Sequence, residues 1–211
     1  MRANVWQIAQ CLAAGVHGVL ICEMESPEAA QIAIAGARYK WTWPGVEQLP
    51  IEGCRGAGSQ AFAAHIWGIS PAEYSRVADV WPHNPKGEIT MGFKLENRRS
   101  VEVADNILST KGLAFAEPGP SDNGLSHLGW DAVRGDITPQ QRAALPASKR
   151  LEENLERIRL AAKRHKVQWL GDGPNGATRN QEIDEGRRMG PAGNEQRVHD
   201  DRLYTKRKMP Y

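Results

Sequence analysis

The sequence predicts an α/β protein built on a parallel sheet, and three features carry that reading. Helix-like and strand-like segments alternate along the first 185 residues, the order of parallel-sheet proteins rather than of bundles or sandwiches. Glu88 to Glu96 alternates with a period of two, which sets Ile89, Met91, Phe93 and Leu95 on one face and Thr90, Gly92, Lys94 and Glu96 on the other. The 211 residues, 40% hydrophobic and 25% charged, are enough for one sizeable domain with its own core.

Each element has a local reason. Trp6 to Ala14 reads as a helix, and the apolar run Gly18-Val-Leu-Ile-Cys22 as a short strand. Ser26-Pro27-Glu28 supplies an N-cap, a first-turn proline and an early acid for an Ala/Ile-rich helix that fades near Tyr39. Glycines at 53, 56 and 58 punctuate the long connection that follows. It holds a possible helix from Gln60 to Trp67 and another opened by Ser70-Pro71-Ala72-Glu73.

Glu88 to Glu96 is the clearest strand; if the sheet closes as a barrel, its apolar side meets helices and Lys94 and Glu96 point inward near its C-terminal end. Ser100 is expected to cap a helix running to about Ser109. Leu113 to Ala116 is a further strand, leading into Glu117-Pro-Gly-Pro-Ser-Asp122, whose composition is that of an ordinary turn. Leu151, Leu155, Ile158 and Ala162 mark one apolar helix face. Val167 to Leu170 is the next strand, Asn180 to Glu185 a helix, and Arg188 to Pro191 a doubtful last strand. The mixed-charge tail from Ala192 has little to bury and is expected to dock on a neighbour or stay mobile, so residues 1–191 form the domain and 192–211 a tail.

Composition narrows the function classes. A net charge of +2 gives no broad positive field, which argues against nucleic acid as a partner. Asn4, Gln7, Gln10 and His17 interrupt the best apolar stretch, leaving neither a membrane span nor a signal peptide, so a cytoplasmic protein is expected. Cys11, Cys22 and Cys54 form no C-x-x-C pair and read as reduced, two of them in the core. Seven scattered tryptophans read as core and interface anchors more than as a binding pocket. Four clear strands and a doubtful fifth are too few for an eight-stranded barrel, so either the sheet is open or the chain lacks its beginning.

Several motifs in fixed order carry a resemblance. Gly92-Phe-Lys-Leu-Glu96 is followed by the helix holding Val101-Glu-Val-Ala-Asp105, then by Ala114-Phe-Ala-Glu-Pro-Gly119-Pro120-Ser121-Asp122. Upstream stand Ala13-Ala-Gly15-Val-His-Gly18-Val, Glu25-Ser-Pro-Glu28-Ala-Ala, Ala37-Arg38-Tyr39, the connection Gly53-Cys-Arg55-Gly56-Ala-Gly58-Ser59, and Trp67-Gly68. Together these resemble the HpcH/HpaI aldolase and citrate lyase family, the metal-dependent class II pyruvate aldolases, over roughly residues 2 to 128 and more loosely beyond. The resemblance implies a partial (β/α)₈ TIM barrel, about strands four to eight, with Gly18 to Cys22 as the fourth strand, the fifth ending at Glu96 and the sixth leading into Asp122. In that register the first three strands are absent, and the sequence does not say whether Met1 is the true start.

The same resemblance implies cleavage or formation of a carbon–carbon bond between pyruvate and an aldehyde, from 4-hydroxy-2-oxo acids. Glu96 and Asp122 match the family's ligands for a divalent ion, Mg²⁺ or Mn²⁺, which suits hard oxygen donors. Such an ion stabilises the pyruvate enolate as a Lewis acid. The resemblance also implies that Gly119 and Pro120 shape the turn and that the backbone N–H of Ser121 meets the substrate carboxylate.

Lys94 departs from the Gln that many members carry; it either donates to a substrate oxygen or neutralises a carboxylate. Arg2 is the one candidate for the family's enolate-stabilising arginine, against a frayed terminal residue. No histidine matches the family's general base, which comes from the second strand region; His127 is the nearest substitute, and weak turnover by this chain is expected. Two other readings remain. One is a non-catalytic remnant or interaction protein, since an open sheet edge favours association and a homo-oligomer. The other is a phosphate-binding barrel using the Gly53 to Gly58 connection, which lacks a P-loop pattern.

Overall fold

The computed structural model describes residues 1–58, 60–170, 178–184, 187–189 and 195–206. Arg2–Asn4 forms a 3₁₀ turn, followed by α1 (Val5–Ala13), β1 (Gly18–Ile21), α2 (Pro27–Ala37), α3 (Gln60–Trp67), α4 (Pro71–Val77), β2 (Val80–Trp81) and β3 (Ile89–Lys94). Next come α5 (Arg98–Glu102), α6 (Ala104–Leu108), β4 (Phe115–Glu117), α7 (Pro120–Leu128), α8 (Trp130–Arg134), α9 (Pro139–Ala143) and α10 (Pro146–Arg164). The order ends with β5 (Gln168–Leu170), α11 (Arg179–Asp184), β6 (Arg187–Met189) and α12 (Glu195–Thr205).

All the strand pairs are parallel, and the main path runs β1-β3-β4-β5-β6, with β2 paired to the start of β3. Strands that neighbour each other in chain order, joined through helices, are the arrangement of a barrel arc. The strands predicted from sequence are all present, including the doubtful last one at Arg187–Met189, while Gly190 and Pro191 lie outside the described residues. The short β2 went unpredicted because two paired residues before a proline carry no periodic signal.

Alternation in β3 organises the core. Ile89, Met91, Phe93 and Leu95 are fully buried and share one apolar cluster with Ala30, Ala33 and Ile34 of α2, Ile107 and Leu108 of α6, and Ile158 and Ala162 of α10. Side chains of this size each contribute about 1.5–3 kcal/mol by leaving water. The opposite side of β3 carries Thr90, Gly92 and Lys94.

Helix starts follow their caps. Ser26 accepts from the Ala29 N–H at 3.1 Å with Pro27 in the first turn, and Ser70 accepts from Glu73 in the same way. The expected helix from Ser100 to Ser109 is instead two short helices. Asn97 is the N-cap and Ser100 its capping-box partner, and the chain breaks at Val103, whose φ of −109° and ψ of 15° are not helical. Glu117 to Asp122 is likewise not a simple turn, because Pro120 opens α7 and puts Asp122 in its first turn.

Two further expectations need correction. All three cysteines are exposed: Cys11 lies away from the buried Ile8 and Leu12 of α1, Cys22 follows the end of β1, and Cys54 sits in the long connection. The tail is helical over Glu195–Thr205 and docks on its own chain, through the Arg179–Asp201 ion pair and the Tyr204 hydroxyl on Asp184 Oδ2 at 2.6 Å.

Arg55 anchors the long connection. Its guanidinium, 1% exposed, donates to the Ala37 and Ala78 carbonyls at 3.3 and 2.9 Å and to the Tyr39 and Tyr74 hydroxyls at 3.0 and 3.1 Å. It also stands 4.2 Å from the Tyr39 ring centroid. The glycine-punctuated segment thus carries a packing arginine, and Ser59 of that motif lies outside the described residues.

Candidate functional site

The inner face of the sheet gathers its charges where the strands end. Lys94 closes β3 opposite Glu117, its register partner at the end of β4. Two residues on, Glu96 is 3% exposed, and its Oε1 accepts the Glu23 N–H at 3.0 Å. Lys94 Nζ lies 2.6 Å from Glu96 Oε2 and 3.8 Å from Asp122 Oδ2. The two carboxylates singled out in the sequence therefore meet around one ammonium group.

The loop that brings Asp122 there is fastened from below. Asn123 is fully buried, and its Nδ2 donates to the Leu95 carbonyl at 2.7 Å and to the Pro118 carbonyl, tying the start of α7 to the end of β3. Gly119 has φ +53°, and a Cβ built there would lie 2.5 Å from Glu96 Cβ and 2.6 Å from Oε2. Backbone and carboxylate pack that closely because position 119 has no side chain. On the other flank, Asn97 Nδ2 donates to Glu25 Oε1 at 2.8 Å and to Glu23.

Electrostatics follow from this crowding. The contact with Glu96 holds Lys94 above the ordinary lysine value, so the group is an ammonium. Burial pushes the Glu117 carboxyl up, Lys94 pulls it back, and Glu96 and Asp122 add to the rise. Burial, then Glu96, raises the Cys22 thiol, which argues against a thiolate nucleophile.

Glu96 Oε2 is buried, and Lys94 approaches it outside hydrogen-bond angles, leaving the oxygen with a charge nearby but no aligned donor. A carboxylate oxygen in that state, beside the half-exposed Asp122, suits a hard divalent cation. Among the described residues no group of three or more His, Cys, Asp or Glu side chains is placed to hold a metal, so Glu96 and Asp122 would offer two protein ligands.

The remaining sequence candidates are distributed as follows. Gly119, Pro120 and Ser121 form the start of α7 beside Glu96, and Ser121 Oγ accepts from Arg134 at 2.9 Å. Arg2 is exposed in the turn that opens α1, and among the described residues no hydrogen bond or ion pair joins it to Lys94, Glu96 or Asp122. His127, at the far end of α7, has Nδ1 on the Asn123 carbonyl at 2.9 Å and Nε2 on Asn154 Nδ2 at 2.7 Å. Both ring nitrogens are engaged, so His127 would have to give up one of these contacts to take a proton from a substrate. The imidazole instead borders a cleft of about 440 Å³ with Arg98, Glu102, Arg150 and Arg157. The tryptophans do not gather into one pocket: Trp67 stacks on His17 at 3.8 Å, Trp169 is buried, and Trp130 is 67% exposed.

Sequence reasoning missed Glu117 and Asn123. Glu117 lay in a segment of turn composition; its signal was the alternation from Phe115, which puts it on the face of Lys94. Asn123 gave no signal, since only the folded chain shows which carbonyls it reaches.

No protein-family model matches the chain. Curated relatives do: it is 28% identical over 170 residues to a hydroxypyruvate/pyruvate aldolase of Roseovarius nubinhibens, covering 79% of this chain and 54% of that protein. It is 32% identical over 124 residues to the 5-keto-4-deoxy-D-glucarate aldolase of Escherichia coli K12, covering 58% of this chain and 41% of that one. The chain thus spans about half the length of the curated relatives it matches. Among solved structures, an HpcH/HpaI aldolase/citrate lyase family protein from Burkholderia cenocepacia superposes with a TM-score of 0.63 at 20% identity, over 97% of this chain and 70% of that one.

Proposed function

We propose that this chain, a relative in sequence and fold of the HpcH/HpaI aldolases, carries the metal and substrate end of a pyruvate aldolase site that cleaves 4-hydroxy-2-oxo acids to pyruvate and an aldehyde. One observation carries the reading: Glu96 and Asp122, from separate strand ends, converge on the same Nζ. Glu96 and Asp122 would hold Mg²⁺ or Mn²⁺, which supplies Lewis-acid stabilisation of enolate charge when bound.

The chain's own groups do the rest. The first N–H groups of a helix have no intrahelical acceptor, so those of Ser121 and Asp122 at the start of α7 are available to bind the substrate carboxylate. The bare Gly119 gives that carboxylate room beside Glu96, and Pro120 fixes the entry into the helix. Asn123 holds the loop in register with Glu96, which limits the substrate to one orientation. Lys94 neutralises the acidic cluster and donates to a substrate oxygen, and Arg2 is the candidate to face developing negative charge.

The unit is residues 1–191 with 192–211 as its tail, acting in the cytoplasm as a homo-oligomer on a small 2-oxo acid. Among the described residues no helix is long and apolar enough to cross a membrane.

The test is pyruvate release from a 4-hydroxy-2-oxo acid, followed by coupled NADH oxidation with and without Mn²⁺, together with calorimetry of Mn²⁺ binding. Release above the metal-only background that chelation abolishes, and a binding heat lost in Glu96→Gln and Asp122→Asn, are expected. Mn²⁺ binding unaffected by either change would reject the ligand assignment, and release indifferent to chelation would reject the reaction class.

A further inference from the structure

Lys94 occupies the space a shared cation would take. Its Nζ sits 2.6 Å from Glu96 Oε2 and 3.8 Å from Asp122 Oδ2, on a strand end where the next strand contributes Glu117 at the paired position. Lys94 is largely buried and its stem rises from the ladder of β3, so the ammonium is part of the site's framework rather than a surface charge that wandered in. Glu96 and Asp122 together carry one negative charge more than the ammonium they meet, and a divalent ion in its place would balance them.

A divalent ion and an ammonium cannot share Glu96 Oε2 at this distance, because like charges in a partly desolvated site repel strongly. Glu117 offers the ammonium somewhere to go: it is the Cα partner of Lys94, lies on the same face of the sheet, and makes no ion pair within 4 Å among the described residues.

We propose that Lys94 is a resident, displaceable counter-cation: a divalent ion binds Glu96 and Asp122 by moving the ammonium from Glu96 across to Glu117. This rests on the reading of Glu96 and Asp122 as metal ligands and goes beyond it by assigning Lys94 as the competitor that sets the metal affinity.

The experiment is Mn²⁺ binding to the full chain, read by calorimetry and by the electron paramagnetic resonance signal of free Mn²⁺. Wild type is compared with Lys94→Gln, with Lys94→Met, which keeps the stem without the charge, and with Lys94→Arg, which keeps the charge; circular dichroism and melting establish that each is folded. Lys94→Gln and Lys94→Met should bind Mn²⁺ about tenfold more tightly or better, the step a modest like-charge contact is worth, and Lys94→Arg no more tightly than wild type. The gain should vanish in Lys94→Gln/Glu96→Gln. Glu117→Gln should weaken Mn²⁺ binding about threefold or more in wild type, for loss of a single weak ion pair, and leave the Lys94→Gln background unchanged.

Neutral Lys94 variants that are folded and bind Mn²⁺ no better than wild type overturn the proposal. If wild-type binding still depends on Glu96 in that case, the ligand assignment survives. If neither wild type nor the neutral variants bind Mn²⁺ at all, the ligand assignment falls, and the displacement proposal with it. Equal effects of Glu117→Gln in both backgrounds would overturn the transfer to Glu117.

Discussion

The ring of Phe115 on β4 lies directly over Gly92 on β3: a Cβ at position 92 would sit 2.2 Å from both Cε2 and Cζ of that ring. The two are register partners in the parallel ladder, so the aromatic side chain fills the inner face where its neighbour leaves none. Gly92→Ala should therefore destabilise the protein by about 1–3 kcal/mol through overpacking, measured by urea denaturation. Because the clash is with a single ring, Gly92→Ala/Phe115→Leu should lose less than the two single changes added together. Additive losses would mean that the ring is not what position 92 meets.

The buried Arg55 supports a second expectation. Four acceptors surround its guanidinium in fixed directions, two carbonyls and two tyrosine hydroxyls, and a ring lies against one face. Lysine keeps the charge but not the planar fork, so Arg55→Lys would strand several of those partners in a dry site. A loss of about 1–3 kcal/mol is expected, seen as a lower melting temperature with the secondary structure of the folded state unchanged. A change within about 0.5 kcal/mol would place the stability of the long connection elsewhere.

How much of this was legible beforehand depended on whether the cause was local. The strand of β3 and the inward direction of Lys94 and Glu96 follow from alternation, which a sequence displays openly. Ser26-Pro27 and Ser70-Pro71 mark helix starts because a cap acts within three residues. The pairing of Glu96 with Asp122 came from motif resemblance, and their convergence on Lys94 is a geometric fact that required the fold. Asn97 and Ser100 are both good caps, so sequence alone does not choose between them, and the break at Val103 decides where the helix can run. Glu117, Asn123 and the packing role of Arg55 depend on contacts between residues distant in sequence, which composition and spacing do not encode.

Acid sensitivity should report on the outer helices. Asp105 of α6 accepts from Arg164 Nε of α10 at 3.2 Å and faces His165 Nε2 at 3.2 Å. The contact with Arg164 holds the Asp105 carboxyl below the usual carboxylate range. A depressed acid stabilises the fold at pH above its unfolded value and loses that contribution as pH falls through the folded value. Asp105→Asn should thus lower stability at pH 7 by a few tenths to about 1 kcal/mol, since the pair is half exposed and screened by water. The difference from wild type should close as the pH drops below the carboxylate range, and also on raising the salt. A gap that is constant with pH would assign the effect to packing rather than charge.

The final expectation concerns the join between loop and carboxylate. Gly119 is in the left-handed region and caps α7, so Gly119→Ala adds a modest backbone cost of about 1 kcal/mol. The larger effect is steric, because the new methyl would come 2.5 Å from Glu96 Cβ, an atom fixed to the strand end and not the free tip of a flexible chain. Either the carboxylate of Glu96 or the start of α7 must move, and Asn123, held by Leu95 and Pro118, resists the second. Gly119→Ala should therefore shift Glu96 off its Glu23 N–H and weaken Mn²⁺ binding about tenfold, while melting falls only by what ~1 kcal/mol would produce. Calorimetry and thermal melts on the same preparation separate the two effects. Mn²⁺ affinity equal to that of wild type would show that Glu96 keeps its place with a methyl beside it, and that the close approach of Gly119 is packing without consequence for the site.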